Sequence, residues 1–191
     1  MQIPLLKNLP FEDENILEFI RNPEKKEYGY RLLVKKYQER LYYHIRNLVK
    51  THENTDDVLQ NTFVKIFKNI DSFENKSSLF TWIYRIATNE CINYLQKENK
   101  YNIRHISNGK TQYDKAENAG MDAEKIISNV EKAIETLPDK QKLVFHLRYY
   151  DEMPYEQIAE ITNTSVGSLK ASYHHAVKKM ETYIKEMSGQ L

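Results

Sequence analysis

The chain has 191 residues, room for one large domain or two small ones, and its 28 Lys and Arg against 27 Asp and Glu exclude a globally basic nucleic-acid binder. Any contact with DNA must then come from local charge asymmetry. One cysteine, Cys91, excludes an internal disulfide and a cysteine-based zinc site, while the lack of a basic n-region or an apolar run of about 18 residues points to a cytoplasmic chain that inserts in no membrane.

Only five Gly and five Pro interrupt the chain, and apolar residues recur at intervals of three and four, so the spacing predicts an all-α protein. A short helix is expected over Glu14 to Arg21. A longer one from about Tyr28 to Lys50 carries Leu33, Tyr37, Leu41, Ile45 and Leu48 on one face, as the spine of a bundle. The next helix is expected to start near Thr55, capped by Thr55 or Asn54 and favoured by Asp56 and Asp57 at its positive end, with Leu59, Phe63, Ile66, Phe67 and Ile70 buried. A third begins near Ser78 and spreads Leu79, Trp82, Ile83, Ile86, Ala87, Ile92 and Leu95 over more than one face, as a central helix would.

From about residue 99 to 122 the apolar period lapses, which predicts a flexible linker between an N-terminal domain over 1–98 and a C-terminal one over 123–191. Helical spacing resumes with Ile126, Ile127, Val130, Ile134 and Leu137. Pro138 punctuates the next start, and LVFHLRYY reads as helix rather than strand. Pro154 opens PYEQIAEI, with Ile158, Ala159 and Ile161 inward. Asn163 suits a left-handed turn, and Ser165 caps a final helix, SVGSLKASYHHAVKKMETYIK, which makes a helix-turn-helix.

On that last helix Ser168, Lys170, Ser172, His174, His175, Lys178 and Lys179 lie off the packing face, and Glu181 is the only acidic residue from Ser165 to Lys185. Short polar side chains near the N-terminus suit base edges, and lysines beyond suit phosphates. Adjacent His174 and His175 point about 100° apart on a helix, so they do not chelate one ion, and neither a metal nor another cofactor is expected. In the N-terminal half Asp56, Asp57, Gln60, Asn61 and Lys65 form a polar face. The turn FENKSS then leads into Phe80, Trp82, Tyr84, Arg85 and Asn89, an aromatic set able to hold unstacked bases, although Trp82 on so apolar a helix suits a core position. No GxSxG, HExxH, P-loop or dinucleotide glycine pattern occurs, so an enzyme is not expected.

Together these segments resemble the extracytoplasmic-function sigma factors of bacterial RNA polymerase, over nearly the whole chain and in the family's order and spacing. The resemblance implies that TDDVLQNTFVKIFKNI docks on core polymerase through Asp56, Asp57, Gln60, Asn61, Phe63 and Lys65. It implies that Asn75, Lys76, Ser77, Ser78, Trp82, Arg85 and Asn89 hold the melted −10 element. The −35 reader would comprise Ser165, Gly167, Ser168, Lys170, Ser172, His174, His175, Lys178 and Lys179. Core polymerase, promoter DNA and an anti-sigma factor are the implied partners. Departures fall at Asn61, where the family usually has an acidic residue, at Phe80 for arginine, and at Asn93 for aspartate; Ser172, His175 and Val177 replace arginines. The competing reading is a stand-alone helix-turn-helix regulator with an N-terminal dimerisation or sensing bundle.

Overall fold

A computed structural model describes residues 12–106 and 122–187, with side chains over 12–98 and 127–187. In chain order its helices are α1 (Asp13–Arg21), α2 (Lys26–Val49), α3 (His52–Asn69), α4 (Leu79–Ile106), α5 (Asp122–Glu135), α6 (Asp139–Phe145), α7 (Tyr155–Thr162) and α8 (Val166–Met187). A 3₁₀ turn over Ile70–Ser72 follows α3, and a π-helical turn over His146–Tyr150 follows α6. No strand occurs among the described residues. The chain divides into two compact units, with the division between Tyr94 and Leu95.

In the N-terminal unit α2 is the spine: Leu33, Tyr37, Leu41, Ile45 and Leu48 are all buried, as their spacing predicts. Ile16, Leu17 and Ile20 of α1 close one side of it. The approach is tight at Gly29, where a Cβ would lie 2.7 Å from Ile20 Cγ1 and 2.8 Å from the Ile20 backbone nitrogen. Tyr37 donates its phenolic hydrogen to Asp13 (2.8 Å to Oδ1), and Lys36 pairs with the same oxygen at 2.7 Å, which fixes α1 along the spine. Leu79, Ile83, Tyr84, Ala87 and Cys91 bury α4, and His44 of α2 meets Thr88 across the core at 3.1 Å.

Helix α3 differs from expectation in start and in phase. Thr51 is the cap: its hydroxyl accepts from the Asn54 N–H at 3.3 Å, so the helix begins at His52 rather than near Thr55. Thr55 is buried instead, its hydroxyl donating to the Thr51 carbonyl at 2.6 Å. The buried stripe is Thr55, Val58, Thr62 and Ile66, with Ile70 beyond, while Leu59, Phe63 and Phe67 are only half-buried. Thr62 donates to the Val58 carbonyl at 2.7 Å, which satisfies its one polar group and leaves a methyl for packing. The stripe is thus rotated by one residue, with Val58 and Thr62 inward in place of Leu59 and Phe63.

The backbone of α4 continues past Glu98 to Ile106, into the segment expected to be a linker. KENKYNIRHI contains neither Gly nor Pro, and extending a formed helix adds one hydrogen bond per residue even without an apolar stripe. The remainder of the expected linker, 107–121, lies outside the described residues.

In the C-terminal unit Ala133 and Ile134 of α5, with Leu137 of the turn after it, pack with Phe145, Ala176 and Met180. Leu147, Met153, Ile158, Ile161 and Leu169 are also buried. Ile127, expected on the packing face, is 60% exposed, and Ala159, expected inward, is half-buried. LVFHLRYY is helical as expected, but its second half widens to a π turn, and Asp151 N–H reaches back to the His146 carbonyl at 3.1 Å. The turn after α7 matches the sequence reading: Asn163 takes φ 52°, ψ 45°, and the Ser165 hydroxyl accepts from the Ser168 N–H at 3.3 Å.

Candidate nucleic-acid interface

The first surface lies on α3. Asp56, Asp57, Gln60 and Asn61 are all exposed, and Val64, 43% exposed, continues their face one turn on. Phe63 is half-buried on the flank, its ring 5.9 Å from Phe67, which packs in turn 4.7 Å from Tyr30 of α2. Lys65 does not project freely from this band: it bonds to Glu90 of α4, and Asn93 donates to the same carboxylate at 3.4 Å. An apolar groove of about 360 Å³ adjoins the band, formed by Tyr30, Val34 and Phe67 with Glu27, Arg31, Lys35 and Gln38 at its edge. Sequence reasoning overlooked Tyr30 and Val34, although an apolar pair four residues apart and out of phase with the core stripe was the signal for them.

The second surface is the turn into α4 and one stripe along that helix. Asn75 adopts φ 57°, a left-handed conformation that asparagine tolerates better than most residues and that reverses the chain before Ser78. Asn75 and Lys76 are exposed, and Lys76 pairs with Glu74, so the turn carries little net charge. The Ser78 hydroxyl accepts from the Thr81 N–H at 3.1 Å and meets the Thr81 hydroxyl at 2.8 Å; it caps α4. Ser77 and Trp82 are half-buried, and the indole packs 5.3 Å from Phe73. Ser78, Trp82, Arg85 and Asn89 fall on one stripe at helical spacing, with Asn89 exposed and Arg85 half-buried. The structure therefore brings the turn and the stripe together, and places Trp82 between core and surface.

The third surface is the outer face of α8. Gly167, Lys170, His174 and Lys178 follow one another at three and four residues and are all exposed, with Ser168, His175 and Lys179 beside them. Nothing lies within 4 Å of a Cβ added at Gly167, so the helix start is open to an incoming surface. Ser172 is half-buried, and exposed Ser165 uses its hydroxyl as the cap. Lys179 donates to the Thr136 carbonyl at 2.5 Å, which ties it to the end of α5, whereas Lys178 makes no such contact. Lys170 lies 5.8 Å over the Tyr155 ring, and Arg148, anchored on the Met153 carbonyl at 3.1 Å, lies 5.4 Å from the same ring. Tyr155 and Arg148 were not singled out in the sequence, because nothing local links residues from three elements. The His174 and His175 rings are 5.9 Å apart and tilted by 60°, and no group of three His, Cys, Asp or Glu suited to a metal occurs among the described residues.

Comparison with known proteins accounts for this arrangement. The family model of sigma-70 region 2 matches residues 33–101, and that of sigma-70 region 4 matches residues 127–180. The sigma factor YlaC of Bacillus subtilis is 34% identical over 159 residues, covering 78% of this chain and 90% of the relative. The ECF RNA polymerase sigma-E factor of Haemophilus influenzae is 29% identical over 189 residues, covering 92% and 96%. Among solved structures, CnrH in complex with the cytosolic domain of CnrY aligns with TM-score 0.65 at 17% identity, over 91% of this chain and 99% of that one. The sigma factor RpoE in complex with the anti-sigma factor NepR, from Bartonella quintana, aligns with TM-score 0.63 at 21% identity, over 82% and 96%. At those identities the structures speak for the fold; with the region 2 and region 4 matches in sequence, the chain belongs to the sigma-70 family, in its extracytoplasmic-function branch.

Proposed function

We infer that this protein is a promoter-specificity subunit: it binds core RNA polymerase, recognises −35 and −10 promoter elements, and directs transcription initiation. The observation that carries the inference is the presence, in one chain and in family order, of three separate exposed surfaces on segments matching regions 2 and 4. Asp56, Asp57, Gln60 and Asn61 are the polymerase contacts, with Phe63 packing behind them and Val64 in the same patch. Lys65 orients the band through Glu90 and is a minor contact itself. Asn75, Lys76 and Ser77 contact the opened −10 strand, Arg85 and Asn89 extend that contact along α4, and Trp82 and Ser78 hold the turn in shape. The groove-facing residues of α8 are Gly167, Ser168, Lys170, His174, His175 and Lys178.

Neither DNA reader need bind tightly alone. A single helix-turn-helix offers a modest interface, and joining it to a second reader through polymerase multiplies affinity by effective concentration. In this reading residues 1–98 form the region 2 domain, 123–191 the region 4 domain, and the intervening segment follows polymerase. The described residues include no helix long and apolar enough to cross a membrane. In this reading the chain works by binding core polymerase and promoter DNA in the cytoplasm, and catalysis belongs to the polymerase. One solved structure of the same fold, the sigma factor RpoE, was captured with the anti-sigma factor NepR, and another, CnrH, with the cytosolic domain of CnrY, which supports a protein partner of the anti-sigma kind for this chain.

The test is transcription from genomic fragments by core polymerase with this chain as the only specificity factor, followed by mapping of transcript 5′ ends. Discrete start sites sharing two upstream elements are expected. Purified protein that fails to bind core polymerase would overturn the reading in favour of a stand-alone helix-turn-helix regulator.

A further inference from the structure

Phe80, the departure from the family's arginine, lies in the first turn of α4 about 200° around the helix from Ser78, away from the Trp82 to Asn89 stripe. There its ring stacks on Tyr84 at a centroid distance of 4.2 Å, and the Arg40 guanidinium of α2 covers it at 4.5 Å. Arg40 is exposed. Lys26, Arg31, Lys36, Lys65 and Lys76 of the same unit each pair with a carboxylate, whereas Arg40 has no carboxylate partner among the described residues. Three residues on, Tyr43 occupies the neighbouring surface position, 42% exposed although it is a large aromatic. An un-neutralised guanidinium held flat on an aromatic ring, with a second ring exposed beside it, is the chemistry that binds a single nucleic-acid strand: charge for the backbone, a face for a base.

We propose that Arg40 and Tyr43, with Phe80 as the support of Arg40, form a binding site for single-stranded DNA beyond the bases held by the Asn75 to Ser78 turn. Arg40 contacts a backbone phosphate, and Tyr43 stacks on an unpaired base. Ser78 begins the Arg85 and Asn89 stripe and Phe80 lies two residues further on, so both faces start at the same end of α4 as the turn. Arginine reaching from α2 supplies the cation that position 80 lacks. The site rests on the assignment of the turn to the −10 strand.

The experiment uses holoenzyme and a forked fragment of a promoter mapped as above, single-stranded on the non-template side downstream of the −10 element, with the fully paired fragment as control. Arg40→Ala is expected to weaken binding to the forked fragment about tenfold and to lower the slope of log K against log salt by about one. Tyr43→Ala is expected to weaken it about tenfold with the slope unchanged, since stacking releases no counterion. Both variants should bind core polymerase and melt thermally as the parent does. If Arg40→Ala and Tyr43→Ala bind normally while Asn75→Ala and Lys76→Ala do not, the proposed site is overturned and the turn assignment stands. If all four bind normally, both are overturned; if Arg40→Ala or Tyr43→Ala loses core polymerase, the patch belongs to that partner and the DNA site is overturned.

Discussion

In the N-terminal unit Lys26 ends on Asp71, Lys36 on Asp13, Lys65 on Glu90 and Lys76 on Glu74, whereas along α8 Lys170, Lys178 and Lys185 have no carboxylate partner among the described residues. Both units belong to a chain of net charge +1, so composition averages away the contrast. A surface whose cations are already neutralised releases few counterions on binding and must act through shape, apolar patches and polar edges. One whose cations are free gains from phosphate and is salt-sensitive. Of these lysines the four of the first unit are spent and the three of α8 are free, so a phosphate-dependent contact is expected at Lys170 and Lys178 before it is expected at Lys26, Lys36, Lys65 or Lys76.

The contrast can be broken most forcefully in the core. Leu41 is fully buried on the α2 spine, so Leu41→Ala should destabilise the N-terminal unit by about 2–5 kcal/mol in urea titration. Gly29→Ala should cost about 1–3 kcal/mol, because the new Cβ meets Ile20 backbone as well as side chain and α1 must shift; a variant as stable as the parent would mean that α1 is not held against α2. Alkaline titration probes the internal satisfaction of the same unit. Burial and the Asp13 carboxylate push the Tyr37 phenol far above its ordinary value of 10.0. Its contribution is fully present below pH 10 and declines above it by up to about 1.4 kcal/mol per pH unit, as only the unfolded chain ionises. Tyr37→Phe should flatten that decline in melts taken across the range.

Salt dependence compares the two units directly. Lys178→Ala should weaken duplex promoter binding by about fivefold and lower the salt slope by about one, while Lys65→Ala leaves the slope where it was. Equal slopes for the two variants would erase the distinction between spent and free cations. The smallest effect is expected at the second glycine. Gly167→Ala meets no atom and lies in a helix, so it should stabilise the chain by about 0.5–1 kcal/mol in thermal melts, the reverse of Gly29→Ala.

Much of the fold was legible because local rules and tertiary packing agree. The α2 spine, the Asn163 turn, the Ser165 cap and the order of helices all follow from short-range spacing, capping and left-handed preferences. The structure adds to the reading where a side chain's surroundings depend on a bonding partner that apolar spacing does not register. Thr55, expected as a cap, and Thr62, beside the expected Phe63, enter the α3 core because backbone carbonyls absorb their hydroxyls. Lys65, placed on the polymerase face by pattern, is turned toward Glu90. Ser78, grouped with base contacts, spends its hydroxyl on Thr81.

By itself, then, the sequence determined an all-helical chain in two parts, a helix-turn-helix with its basic outer face, and the family, since each is written in periodicities and motifs within a few turns of helix. Tertiary structure alone decided which of the surface charges are free. Lys65 with Glu90, Arg40 over Phe80, and Lys170 with Arg148 on Tyr155 are set by how helices come together. Coulomb energy and ring contacts fall off over a few ångströms, a distance that sequence separation does not measure.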